Sequence, residues 1–132
     1  MFELHGWITM RETYKAVDTE EDNLDYIVRL IQEKALKMKW NTPEIKAQSG
    51  EYFIELTLFS NRRTEEVDEI FEFLKFIVKS ASGSYGLIYV LDSDDRKKGN
   101  EFQVYTMHRG SIIEQKDSYL SPIVPTIEDL DF

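Results

Sequence analysis

Residues 85–91 have the sequence YGLIYVL, an apolar run that presents side chains to both faces of an extended strand. A strand that is apolar on both faces belongs in the middle of a sheet, where both of its sides are covered. The polar loop at residues 92–100 ends the run at strand length. The chain is therefore expected to form a multistranded sheet with this segment in its interior.

The rest of the chain alternates between strand-like and helix-like patterns. A two-residue alternation predicts strands over residues 2–10 and 52–59, and further strands are expected over residues 44–48, 102–107 and 111–114. Helical spacing predicts a first helix from about residue 20 to 38, ended by Asn41-Thr42-Pro43, and a second helix closed by Gly83. The expected apolar stripes are Leu24, Ile27, Val28, Ile31 and Ala35 in the first helix, and Val67, Ile70, Phe71, Leu74, Ile77 and Val78 in the second.

The resulting order, β-α-β-β-α-β-β-β, favours an α+β fold. We expect one mostly antiparallel sheet of about five to six strands with both helices packed on one face. The 132 residues suit a single domain, with residues 117–132 forming an irregular acidic tail at the C-terminus. The second face of the sheet is then left partly open.

Several large side chains fall on the strand positions opposite the apolar ones. They are His5, Trp7, Phe53, Phe59, Tyr105 and Met107. If the helices cover the Leu and Ile positions, some of these rings lie on the open side of the sheet. Tyr and Trp beside acidic residues are typical of protein interfaces. The alternative is a second small core beneath the C-terminal tail, because the tail must pack somewhere.

The chain is acidic, with 25 Asp and Glu against 16 Lys and Arg and a formal charge of −9. Such a field repels nucleic-acid phosphates and anionic membranes, and it attracts a basic partner. Most of the charge has a structural explanation, because acids crowd both helix starts and lysines both helix ends. The tail differs, since Glu128, Asp129 and Asp131 lie beside Ile127, Leu130 and Phe132 in no helical pattern. It suits either a basic protein surface or a disordered or docked terminus.

Motifs for catalysis, cofactors and metals are absent from the sequence. There is no cysteine, and neither His5 nor His108 has a metal-ligand neighbour at helical spacing. No nucleophile elbow, P-loop or dinucleotide fingerprint occurs. No apolar stretch approaches the ~20 residues that span a membrane, and no signal peptide is expected. We therefore expect no cofactor, no metal, no nucleic acid and no membrane, and a protein that is not an enzyme.

Five short motifs occur in a recognisable order. They are His5-Gly6-Trp7, Phe59-Ser60-Asn61-Arg62, residues 83–89 (GSYGLIY), Leu120-Ser121-Pro122 and residues 125–129 (PTIED). Their order and spacing resemble the seventh family of predicted immunity proteins of bacterial polymorphic toxin systems, over nearly the whole chain. The resemblance implies a cytoplasmic protein, encoded beside a toxin, that binds the toxin's C-terminal effector domain and blocks it. Toxins of this kind are often basic nucleases, which an acidic inhibitor would suit.

Partner contact is expected through buried aromatic rings and acidic charges. The predicted partner-binding residues are Trp7, Tyr85, Tyr105, Glu128, Asp129 and Asp131. Two other classes of function remain open from the residues alone. One is a small enzyme with a cleft carboxylate that uses His5, and the other is a scaffold subunit that self-associates through a sheet edge. The sequence leaves the oligomeric state undetermined.

Overall fold

A computed structural model describes residues 1–13, 20–40 and 42–124. The described elements follow the predicted order β-α-β-β-α-β-β-β. They are β1 (Phe2–Thr9), α1 (Glu20–Leu36), β2 (Glu44–Gln48), β3 (Glu51–Ser60), α2 (Glu65–Ser80), β4 (Tyr85–Asp92), β5 (Gln103–His108) and β6 (Ser111–Lys116). The predicted fold class is confirmed.

The six strands form one sheet in the order β2-β3-β1-β4-β5-β6, and every neighbouring pair is antiparallel. β4 lies between β1 and β5, so the run that is apolar on both faces does occupy the interior. Tight turns join β2 to β3 and β5 to β6. Their residues have positive φ angles, as at Gly50 (81°) and Gly110 (75°), which suits the glycine in each turn.

The main core lies between one face of the sheet and the two helices. β1 contributes Phe2, Leu4 and Ile8, and Met10 follows directly after the strand; all four are at most 1% exposed. α1 buries Val28 and Ile31, as its stripe predicted. The stripe of α2 is rotated from the predicted one, because Phe73 is buried while Phe71 and Val78 are half-buried. Within the described residues, neither helix is long and apolar enough to cross a membrane.

The structure shows a cap at the start of α2 and corrects the expectation for its end. Thr64 caps the N-terminus, where its hydroxyl accepts a hydrogen bond from the backbone N–H of Glu66. Gly83 does not close the helix, which ends at Ser80 with Ala81 as its cap. Gly83 is instead required by close approach, since a Cβ there would lie 2.4 Å from the backbone of Thr13.

Candidate functional site

The sheet face opposite α1 and α2, called here the open face, carries exposed aromatic rings. The register pairs His5 with Tyr89 and Trp7 with Leu87, so these side chains point away from the helices. Trp7 is 46% exposed, Phe59 58% and Tyr85 37%. Three large rings that are this accessible on one face form a candidate contact surface.

The rings on the open face touch one another in two groups that meet along β1. Trp7 and Tyr85 are edge-to-face, with ring centroids 6.2 Å apart. His5 packs against Phe59 at 5.2 Å and lies 6.5 Å from Phe102, which itself contacts Tyr89 at 5.6 Å. Edge-to-face contacts hold aromatic rings in defined positions. The surface is therefore arranged before any partner binds.

His5 also has a carboxylate partner on the same strand. Its Nε2 atom lies 2.5 Å from Oε2 of Glu3, whose side chain is 16% exposed. This contact fixes the imidazole ring beside Phe59 and Phe102. Among the described residues, no group of three or more His, Cys, Asp or Glu side chains is placed to hold a metal ion. The arrangement serves to position a ring in the aromatic surface.

The half of the open face formed by β2 and β3 is acidic. Glu55 lies opposite both Trp7 and Glu44 in the sheet register, which puts these side chains on one face. Lys46 lies between the two acids, 2.7 Å from Glu55 and 3.8 Å from Glu44. The hydrogen bond to Glu55, and then the charge of Glu44, raise the pKa of Lys46 above its usual range. With Glu3, three carboxylates against one lysine give this face a negative balance.

The structure separates the residues predicted to contact a partner. Trp7 and Tyr85 lie together on the open face. Tyr105 lies on the helix side, because it pairs with Ile88 in the sheet register and its ring contacts Phe71 of α2 at 4.9 Å. Met107 is buried on the helix side too, which corrects its expected place among the opposite side chains. The remaining three residues, Glu128, Asp129 and Asp131, lie outside the described residues.

One part of the open face is closed by the chain itself. Leu91 and Val104 point away from the helices, yet they are only 8% and 7% exposed. Nearby, the backbone N–H of Phe102 donates a hydrogen bond of 2.7 Å to the hydroxyl of Ser121. Part of the open face is therefore covered near Phe102 and Ser121, while Trp7 remains accessible.

Asp117 organises the segment that follows β6, a role that the sequence analysis missed. Its carboxylate is buried and accepts hydrogen bonds from the backbone N–H groups of Tyr119 and Leu120, both 3.0 Å, and from the hydroxyl of Ser121 at 2.7 Å. Burial alone would raise the pKa of Asp117, but these bonds outweigh it and hold the pKa below its usual value. The sequence pattern that could have predicted this role is an Asp followed four residues later by a Ser.

Asp117→Asn is expected to reduce the free energy of unfolding by about 1–3 kcal/mol at pH 7, because it weakens several hydrogen bonds to one charged group. The folded-state pKa is lowered, so this stabilisation is present above the unfolded pKa and is lost as the pH falls below about 4. Denaturant titrations at pH 7 and pH 3 measure both effects. The exposed Asp94→Asn is the control, and an equal loss in both variants would contradict the role given to Asp117.

Comparison with known proteins gives one match. A family model described as Immunity protein 7 matches residues 1–129. No curated protein and no solved structure is significantly similar to the chain. The match covers all the described elements, including both halves of the aromatic surface on the open face.

Proposed function

Because the chain belongs to the Immunity protein 7 family, we propose that it binds the effector domain of a cognate bacterial toxin and neutralises it. The observation that carries this proposal is the exposed, mutually packed pair of Trp7 and Tyr85 on the open face. Trp and Tyr are the residues most often found at the energetic centre of protein interfaces. The protein works in the cytoplasm as a binding partner and has no catalytic role.

Neutralisation occurs by steric masking of the toxin. The rings of the open face are already held by their neighbours, so little ordering is needed on binding. Trp7 and Tyr85 enter pockets on the toxin, and the rings around His5 exclude water at the margin. Of the residues predicted from the sequence, Trp7 and Tyr85 are the proposed contacts on the open face, and Glu128, Asp129 and Asp131 are proposed to add acidic contacts. Tyr105 lies on the helix side and is not part of this surface.

Charge supports a basic partner such as a nuclease domain. The formal charge of −9 favours encounter with a cationic surface and disfavours nucleic acid and anionic membranes as partners. The acids of β2 and β3 place part of that charge beside Trp7, at the proposed point of contact. Electrostatic attraction of this kind raises the association rate and is weakened by salt.

Co-expression with the C-terminal domain of a toxin encoded next to this chain tests the proposal. We expect cells that carry both proteins to survive, and the two proteins to purify together as a complex of defined size. A toxin domain from an unrelated system is the control for general protection. If an active toxin domain kills the cells and does not purify with the folded protein, that toxin is not its partner.

Sizing the purified protein alone distinguishes the proposal from a self-associating scaffold. The outer strands of the sheet are β2 and β6, and Ile113 on β6 is 55% exposed. We expect the protein alone to remain smaller than its complex at all concentrations tested. A stable oligomer that persists when the toxin domain is added, with no complex formed, would favour the scaffold function instead.

A further inference from the structure

A second surface lies on the helix side of the sheet, away from the open face. Two adjoining cavities, of about 810 and 410 Å³, run between α2 and the turn that joins β5 to β6. Both are lined by Lys75, Val78 and Gly110, so they form one continuous depression, called here the basic groove. Its size and elongated shape exceed what a single small ion requires.

The charge of the basic groove is opposite to that of the protein as a whole. Lys34, Lys75, Lys79 and Arg109 line its larger half, together with one acid, Glu72. A chain with a formal charge of −9 thus gathers four cations around one depression. Their convergence comes from three separate elements, α1, α2 and the β5–β6 turn.

Helix electrostatics explain only some of these cations. Lys34 and Lys79 lie in the last turns of α1 and α2, where positive charge complements the helix dipole. Arg109 lies in a β-turn, so no helix accounts for it. The Nζ atom of Lys75 lies 3.4 Å from Oε1 of Glu72, which is a long contact for an ion pair. Among the described residues, Lys79 and Arg109 have no carboxylate partner. Lys79 and Arg109 are therefore available to a ligand, and Lys75 is engaged only by its exposed pair with Glu72. The ammonium of Lys34, by contrast, lies over the ring of Phe76 at 5.5 Å.

The smaller half of the groove has an apolar floor. Phe71, Val78, Tyr105 and Ile112 line it, and all four are half-buried and packed against the main core. Its one acid, Glu114, is engaged by Lys98 at 3.1 Å on the outer side. Tyr105, which was predicted as a contact residue and lies far from Trp7, is therefore part of this surface.

We propose that the basic groove binds an acidic peptide segment of a protein partner. Carboxylates of the segment pair with Lys75, Lys79 and Arg109, and its apolar side chains pack on Phe71 and Tyr105. The chemistry is the reverse of that on the open face, so the groove is a separate site. The inference stands on the groove alone and does not depend on the identity of a toxin.

A peptide fits the groove better than a compact phosphate or a nucleic acid. The C-terminal ends of α1 and α2 point toward it, and their carbonyl groups disfavour an anion held close to the backbone. The cations instead stand on long side chains around an apolar floor, which suits carboxylates interleaved with apolar residues. Four cations on a strongly acidic protein are also too few for a polyanion.

The test uses the full-length protein and a labelled peptide, PTIEDLDF, which has the sequence of residues 125–132 and interleaves three acids with apolar residues. Binding is followed by fluorescence anisotropy. We expect Lys75→Gln with Lys79→Gln to weaken binding at least tenfold. The matched control, Arg96→Gln with Lys97→Gln, removes the same charge from the exposed β4–β5 loop and should change binding less than twofold. Equal weakening by both pairs would overturn the proposal.

Two further variants keep the test decisive if the α2 substitutions disturb folding. Arg109→Asn removes a cation at a turn position with a φ of 50°, which Asn tolerates, and it too should weaken binding. A full-length variant with Glu128→Gln, Asp129→Asn and Asp131→Asn tests whether the protein's own tail competes. Peptide binding to the unaltered protein supports a partner segment. Binding seen only in the tail variant would mean that the groove is filled by its own chain, and the proposal would be wrong.

Discussion

Gly86→Ala is expected to prevent the protein from reaching its native structure. A Cβ at this position would lie 1.9 Å from the carbonyl oxygen of Trp7 and 2.8 Å from the Cα of Ile8. Both obstacles are backbone atoms of β1, which is itself paired with β3 on its other side. Neither strand can move away without breaking the centre of the sheet. We expect a loss of more than about 4 kcal/mol in the free energy of unfolding.

Thermal denaturation and soluble yield measure this effect, and two other glycines give matched controls. At Gly6 a Cβ would lie closest to the side chains of Ile88 and Leu56, at 3.1 and 3.3 Å, which can adjust, and the carbonyl oxygen of Leu87 at 3.4 Å is an ordinary contact. Gly6→Ala should therefore cost about 1–3 kcal/mol. Gly50→Asn, at an open turn position with a φ of 81°, carries only the backbone strain of a positive φ, which Asn tolerates better than most residues, and should cost about 1 kcal/mol or less. A Gly86→Ala protein that melts within a few degrees of the unaltered one would disprove the close approach.

The Gly86 position also shows what the sequence could and could not predict. The apolar run around it placed β4 inside the sheet, and the alternation in β1 correctly separated Leu4 from Trp7. The prediction for β1 succeeded because one of its faces is buried against the helices, which imposes a clear period, whereas β4 was placed by its apolar side chains on both faces. The reason for the glycine itself was visible only once β1 and β4 were paired.

β5 shows where the pattern fails. Val104, Tyr105 and Met107 are all large, so two-residue alternation does not choose between the faces. In the structure Val104 is buried on the open side and Met107 on the helix side. The strand is covered on both faces, by α2 on one and by the residues around Phe102 on the other. The side of the sheet on which Tyr105 lies is therefore set by its packing against Phe71 of α2. A residue pattern within β5 alone does not predict this contact.

The two candidate sites also differ in how far the sequence predicts them. Trp7 and Tyr85 were predicted from single strands, because exposed aromatic residues are unusual wherever they lie. The basic groove depends on Lys34, Lys75 and Arg109, which are separated by tens of residues and each have an ordinary local role. Their convergence is a property of how α1, α2 and the β5–β6 turn pack. It has no signature in the sequence.

Trp7→Ala is expected to weaken binding to the cognate toxin domain by about 2–4 kcal/mol, a loss of roughly 30- to 1,000-fold. Tyr85→Ala should give a smaller loss, because Tyr85 is less exposed and supports the Trp7 ring at 6.2 Å. Since the rings touch, the double variant should lose less than the sum of the two single losses. Calorimetric titration of the purified toxin domain measures all three.

A control variant must distinguish the loss of a contact with the toxin from a loss of stability in the free protein. Trp7 is 46% exposed, so its removal should cost the free protein only about 1 kcal/mol of stability. Tyr119→Ala removes an aromatic ring that is 87% exposed and lies outside the Trp7–Tyr85 pair, so binding should change less than twofold. If Trp7→Ala and Tyr85→Ala bind normally while Tyr105→Ala does not, the toxin engages the helix side. The proposal that the open face binds the toxin would then be wrong.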